Sequence, residues 1–131
     1  MIGLDTNVLV RYITQDDVKQ SLLATALMES LTAEAPGFVT LVSVVELVWV
    51  LSSSFNQGRD QVAQVLDVLL RSQQLIVDRA DQVLRALRTY RTGNADFADC
   101  LIERMANAAG CERTMTFDVG ASKTAGMTLL A

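Results

Sequence analysis

The chain predicts an α/β fold with a mainly parallel sheet, and two observations lead there. Short apolar runs alternate with stretches of helical periodicity, and five carboxylates fall at or just past the starts of the expected helices. Those acids are Asp5, Glu46, Asp96, Asp99 and Asp118. In a parallel α/β sheet, ligands bind beyond the carboxyl ends of the strands, where helix N-termini also gather.

Each element has its own signal. Ile2 to Leu4 reads as a very short strand, ending at Asp5-Thr6-Asn7, whose polar side chains can cap a helix over Val8 to Ile13. Asp16 and Asp17 open a second helix through about Ala33, with Leu22, Leu23, Ala26, Leu27 and Leu31 on one face, and Pro36-Gly37 stops it. Phe38 to Val42 is a second strand. Ser43 then opens a helix that stays apolar nearly all round through Leu51, so it is expected to be buried, with Glu46 buried or at its edge. Beyond Gln57-Gly58, Val62, Val65, Leu66, Leu69 and Leu70 mark another amphipathic helix. Leu75 to Val77 is a third strand. A helix from about Arg79 to Tyr90 turns Val83, Leu84, Leu87 and Tyr90 inward, and Thr92-Gly93-Asn94 ends it. The next helix runs from near Asp96 to about Ala108, with Gly110 as its stop. Thr114 to Phe117 is a fourth strand delivering Asp118, and Thr128 to Leu130 a candidate fifth.

With 131 residues, the chain is expected to be a single domain, 1–131, that removes roughly two-thirds of its unfolded surface from water. Half of its residues are hydrophobic and one is proline, which argues against disorder. The longest apolar stretch, Phe38 to Leu51, is too short to span a bilayer, and the N-terminus lacks the pattern of a signal peptide. A cytoplasmic protein with no membrane association is expected. Cys100 and Cys111 lack metal-ligand spacing and read as small core hydrophobes. The net charge of -4 is unusual for a nucleic-acid binder, although bound divalent metal would cancel it locally. Arg79, Arg85, Arg88 and Arg91 read as the solvated face of an amphipathic helix.

No histidine is present, which removes the Ser-His-Asp triad, the Cys-His pair and His-bound zinc. What remains is oxygen chemistry. Each acid also has a simpler explanation. Ser43-Val-Val-Glu46 fits a capping box, Asp96 and Asp99 fit an N-cap and a first-turn acid, and Asp5 and Asp118 fit caps after strands. Together the five fit a Mg²⁺ site better. Asp96 and Asp99 share a helix face, Asp5 and Asp118 follow strands, and Mg²⁺ is held by few carboxylates with water and phosphate oxygens. Such an ion lowers the pKa of a water enough for it to attack a phosphodiester.

The order of these residues carries a resemblance. Asp5-Thr6-Asn7-Val8-Leu9-Val10-Arg11-Tyr12 resembles the opening of PIN-domain ribonucleases, especially VapC-type toxins of toxin–antitoxin pairs. Val44 to Leu51 around Glu46, Ala95 to Ile102 around Asp96 and Asp99, and Thr116-Phe117-Asp118 are similar to that family's later acidic motifs, in the same order. The resemblance implies a three-layer α/β/α PIN fold binding Mg²⁺ or Mn²⁺ and cleaving RNA, with tRNA or rRNA as the expected substrate. It implies Asp5 and Asp99 as principal metal ligands, with Glu46 and Asp118 completing the pocket. Asp96 matches a further aspartate, while Thr6 and Asn7 support the site. A homodimer and a cognate VapB-like antitoxin are further implications. Cys100 stands where similar sequences more often have alanine.

Other classes compete. A haloacid-dehalogenase-type phosphatase needs a second Asp two residues after the first, where this chain has Asn7. A receiver-type phosphoacceptor finds Asp78 and Lys123, yet Asp16-Asp17 follow a helix and not the first strand. A PIN-like module that binds RNA or protein without cutting is the third alternative.

Overall fold

Residues that run apolar between polar breaks make the strands of this chain short, and those strands decide where its helices begin. A computed structural model describes all of residues 1–131. The chain falls into two compact units, Met1–Asp78 and Arg79–Ala131.

In the first unit, Ile2–Gly3 (β1), Gly37–Val39 (β2) and Leu75–Val77 (β3) form a parallel sheet with β2 in the middle. Ile2 stands opposite Gly37, and Gly37 opposite Leu75. The parallel α/β class expected from the sequence is the one observed. Gly37 is the close approach in this sheet, because a Cβ there would lie 2.7 Å from Leu4 Cδ1 and 2.9 Å from Leu31 Cδ1.

Four helices accompany that sheet: Thr6–Thr14 (α1), Val18–Ser30 (α2), Leu41–Ser53 (α3) and Arg59–Arg71 (α4). Asp17 caps α2 by accepting from the backbone N–H of Gln20 at 2.8 Å. Thr40 caps α3, its Oγ1 accepting from Ser43 N at 3.1 Å. The second strand therefore stops at Val39, three residues before the expected Val42, and α3 starts two residues before Ser43. The buried face of α2 also differs from expectation. Ser21 and Ala24 are buried on it, while Leu22 and Leu23 are about two-thirds exposed. The Ser21 hydroxyl donates to the Arg11 carbonyl at 3.0 Å, which turns the small-residue face of α2 toward α1.

Apolar composition overstated the burial of α3 as well. Val44, Leu47, Val48 and Leu51 form its buried stripe, but Val42 is 71% and Trp49 67% exposed. In α4 the periodicity held, with Val62, Leu66 and Leu69 inside, and Val65 and Leu70 half-buried.

In the second unit, Ala80–Thr92 (α5) and Phe97–Ala108 (α6) pack together, with Tyr90 meeting Phe97 edge to face at 5.7 Å. Val83, Leu87 and Tyr90 are buried as expected, while Arg85, Arg88 and Arg91 keep the solvated face. Gly110 follows α6 at φ 95°, the left-handed conformation that ends it. Met115–Thr116 (β4) and Thr128–Leu129 (β5) pair in parallel with each other. Between them lies a six-residue helix, Val119–Thr124 (α7), which the sequence did not signal. Its Gly-Ala-Ser-Lys-Thr run has no apolar period. Cys100 is buried as expected, but Cys111 is exposed beyond the end of α6. No helix is long and apolar enough to cross a membrane.

The two faces of α3 should respond differently to truncation. Leu47→Ala, at a fully buried position, is expected to cost about 2–5 kcal/mol in urea unfolding. Trp49→Ala, on the exposed face, should stay within about 0.5 kcal/mol at low protein concentration. Equal costs would place Trp49 in the core.

Candidate active site

In the first unit, the strand-to-helix junctions bring chemistry to one edge. β1 hands the chain to Asp5, which caps α1 by accepting from Thr6 N at 2.7 Å through Oδ1. β2 hands it to Thr40 and α3, which carries Glu46 in its second turn. Because β1 and β2 run parallel, α1 and α3 start on the same edge, and the Thr6 hydroxyl donates to Glu46 Oε1 at 2.7 Å. Glu46 therefore does not reach back to the start of its own helix. The capping box expected at Ser43 is not formed, because Thr40 has taken the N-cap position and moved Glu46 out of register.

Asp5, Thr6, Asn7 and Glu46 line a cavity of about 590 Å³. Arg11 and Asp16 line it too, and both were missed as site residues. Asp16 was expected to help open α2, but Asp17 does that, and Asp16 instead takes the Arg11 guanidinium at 3.0 Å. A hydrogen bond from the Thr14 hydroxyl holds the Asp16 carboxyl below its usual range, with Arg11 adding to the effect. The signal was Arg11 itself, inside the first motif. Its partner depended on the left-handed Gln15 (φ 54°) that ends α1.

In the second unit, Asp96 holds the N-cap position of α6 but its side chain caps nothing. Asp99 lies in the first turn. Burial pushes the Asp99 carboxyl up, and the charges of Asp96 and Asp118 push it further. No cation pairs with it there. Asp118 does cap α7, its Oδ1 accepting from Gly120 N at 2.8 Å and Ala121 N at 3.3 Å. One turn beyond Asp99, Glu103 is a buried acid paired with Arg104, which marks it as structural.

These donors suit a hard divalent cation. All are oxygens, and in the second unit Asp99 is opposed by its burial and by the charges of Asp96 and Asp118, with no positive partner. Neither unit alone sets three such groups at the spacing of a complete metal cage.

Comparison with known proteins decides the family, since the PIN domain family matches residues 2–127. The chain belongs to the PIN domain family. The match spans nearly the whole chain and displaces the phosphatase and receiver alternatives. The chain is also 23% identical over 114 residues to a protein named VapC ribonuclease from Aquifex aeolicus (strain VF5). That alignment covers 87% of this chain and 84% of the relative. PIN membership thus rests on a match that takes in the strands of both units.

The two kinds of aspartate in the second unit should separate in stability. Asp118→Ala removes the cap of α7 and is expected to cost about 1 kcal/mol. Asp99→Asn, in buffer with EDTA, should leave stability equal or higher, because it removes a partly buried charge that Asp96 and Asp118 oppose. Urea midpoints of the two variants check this, and a loss at Asp99 as large as at Asp118 would make Asp99 a structural residue.

Proposed function

We propose that this PIN domain is the toxin of a VapBC-type toxin–antitoxin pair, a divalent-metal-dependent endoribonuclease that hydrolyses RNA phosphodiester bonds. The observation that carries the reading is Asp99, an acid partly withdrawn from water, facing Asp96 and Asp118, with no cation paired to it. Carboxylates that oppose the ionisation of a neighbour favour a cation between them, and perturbed acids of this kind gather at functional sites. The relative named VapC ribonuclease supports the same reaction class.

In this reading Asp5 and Asp99 are the principal residues holding Mg²⁺ or Mn²⁺. Glu46 and Asp118 complete the donor set, and Asp96 adds negative charge beside Asp99. When bound, the ion supplies Lewis acidity at the scissile phosphate and lowers the pKa of water. Thr6 acts through Glu46, fixing the carboxylate with its 2.7 Å hydrogen bond. Asn7 lines the same cavity, and in this reading it supports the first turn of α1. Without histidine, these carboxylates are also the groups that can accept the proton released by the attacking water.

The partners follow from the same reading: tRNA or rRNA as substrate, a VapB-like antitoxin, and a second copy of the chain in the cytoplasm. Exposed apolar side chains support protein partners. Val18 and Leu22 stand one turn apart on α2, and Val42 and Trp49 two turns apart on α3.

Incubation of a total tRNA and rRNA pool with the protein tests the proposal. Defined fragments are expected with Mg²⁺ or Mn²⁺ and none with EDTA. Asp5→Asn or Asp99→Asn should cost more than the roughly 10–100-fold that outer-shell changes cost, and Thr6→Val should fall within that range. Independently of activity, Mg²⁺ at about 100 times its Kd should stabilise the wild type by about 2.7 kcal/mol but should not stabilise Asp99→Asn. RNA retained without cleavage, and indifferent to the acids, would make the chain a non-cutting binding module.

A further inference from the structure

The cavity that holds Asp5 and Glu46 is lined by three carboxylates, counting Asp16, and by one basic residue, Arg11. An RNA phosphate entering it meets three repelling carboxylates among neutral side chains, and from the protein one attracting charge, that guanidinium. Arg11 is also held in place. Its Nε donates to Gln20 Oε1 at 2.8 Å, and its Nη1 donates to Asp16 Oδ2 at 3.0 Å and Oδ1 at 3.2 Å. Asp16 is fixed in turn by the Thr14 hydroxyl at 2.8 Å. That leaves the Nη2 edge of the guanidinium without a partner, on a side chain 30% exposed at the cavity. A guanidinium whose other nitrogens are already braced loses little freedom when an anion docks, and its planar fork matches phosphate geometry.

We propose that Arg11 is the phosphate-holding residue of the substrate cavity, taking through Nη2 a backbone phosphate of the RNA beside the one that is cut. The proposal rests on the ribonuclease reading. Asp16 and Gln20 are positioning residues that aim Arg11. On the same cavity, Val50 and the half-buried Phe55 supply apolar wall with no second charge, so the phosphate has one cationic partner from the protein.

A purely structural role is the competing explanation, since Arg11 also ties α1 to the start of α2. Steady-state cleavage of total tRNA in Mg²⁺, across a salt series, separates the two for wild type, Arg11→Gln and Arg11→Lys, with melting temperatures measured alongside. For Arg11→Gln, KM should rise about tenfold with kcat nearly unchanged, the size expected for one lost charge-assisted hydrogen bond made equally in ground and transition states. The slope of log KM against log salt should fall by about 0.7, the contribution of one phosphate on a single strand. Arg11→Lys, which keeps the charge and loses the fork, should keep the slope and recover part of KM. An unchanged KM and slope, with or without a lower melting temperature, would overturn the proposal. If the wild type cuts nothing, the ribonuclease reading fails separately. Binding of a labelled mixed-sequence single-stranded RNA in EDTA then gives the same slope comparison: a smaller slope for Arg11→Gln supports the phosphate site, and equal slopes or no binding by the wild type overturn it.

Discussion

The parallel pairing of β1 with β2 is the constraint on which the first unit depends. Ile2 opposite Gly37 and Gly3 opposite Phe38, with Leu4 N donating to Phe38 O at 2.9 Å, bring both strands to an end at the same level. Asp5 and Thr40 then cap their helices side by side. Only in that register does Thr6 reach Glu46, a residue 40 positions away. A slip of one residue would turn every strand side chain to the other face and separate the pair. Gly37 permits the register because Leu4 and Leu31 close over it, where a larger residue would force both leucines to move.

What the sequence made legible was periodicity bounded by clear breaks. Leu75 to Val77 is an apolar triplet between polar residues, and its limits are those observed. The end of α6 was readable because a glycine stands where a left-handed residue is needed. Facing was less legible. Leucine-rich α2 and valine-rich α3 each looked buried on their apolar side, yet α2 buries Ser21 and Ala24 while Leu22 and Trp49 face solvent. Apolar count sets how much surface seeks cover, and tertiary contacts such as Ser21 to Arg11 decide which surface gets it. A six-residue helix such as α7 carries no period at all. Its start is marked by the Asp118 cap.

The site shows the same division. The five acids were visible because short strands and their following turns place them in order. The partnership of Arg11 with Asp16 was not, because it depends on Gln15 adopting a left-handed conformation that glutamine seldom takes. That conformation is held by the Gln15 side chain, whose Nε2 donates to Tyr12 O at 2.8 Å and to Thr25 Oγ1 at 3.1 Å. Long-range side-chain contacts of this kind have no local signature.

Capping and metal binding looked like rival explanations of the same acids, and the geometry shows that they need not be. An ionised carboxylate has two oxygens and about four lone-pair directions. Asp5 commits Oδ1 to Thr6 N, and Asp118 commits Oδ1 to Gly120 and Ala121, so each keeps Oδ2 without a partner in the protein. The cap orients the carboxylate and the second oxygen stays available to a ligand. Asp96 and Asp99 are the acids the cap cannot explain: one occupies a cap position without capping, and the other is pushed toward protonation by its burial and then by its acidic neighbours. A helix start needs one acceptor, and Asp96 does not supply it. Of these two carboxylates, the helix dipole favours Asp99 in the first turn while its burial and its acidic neighbours oppose its charge, so capping alone does not account for the pair.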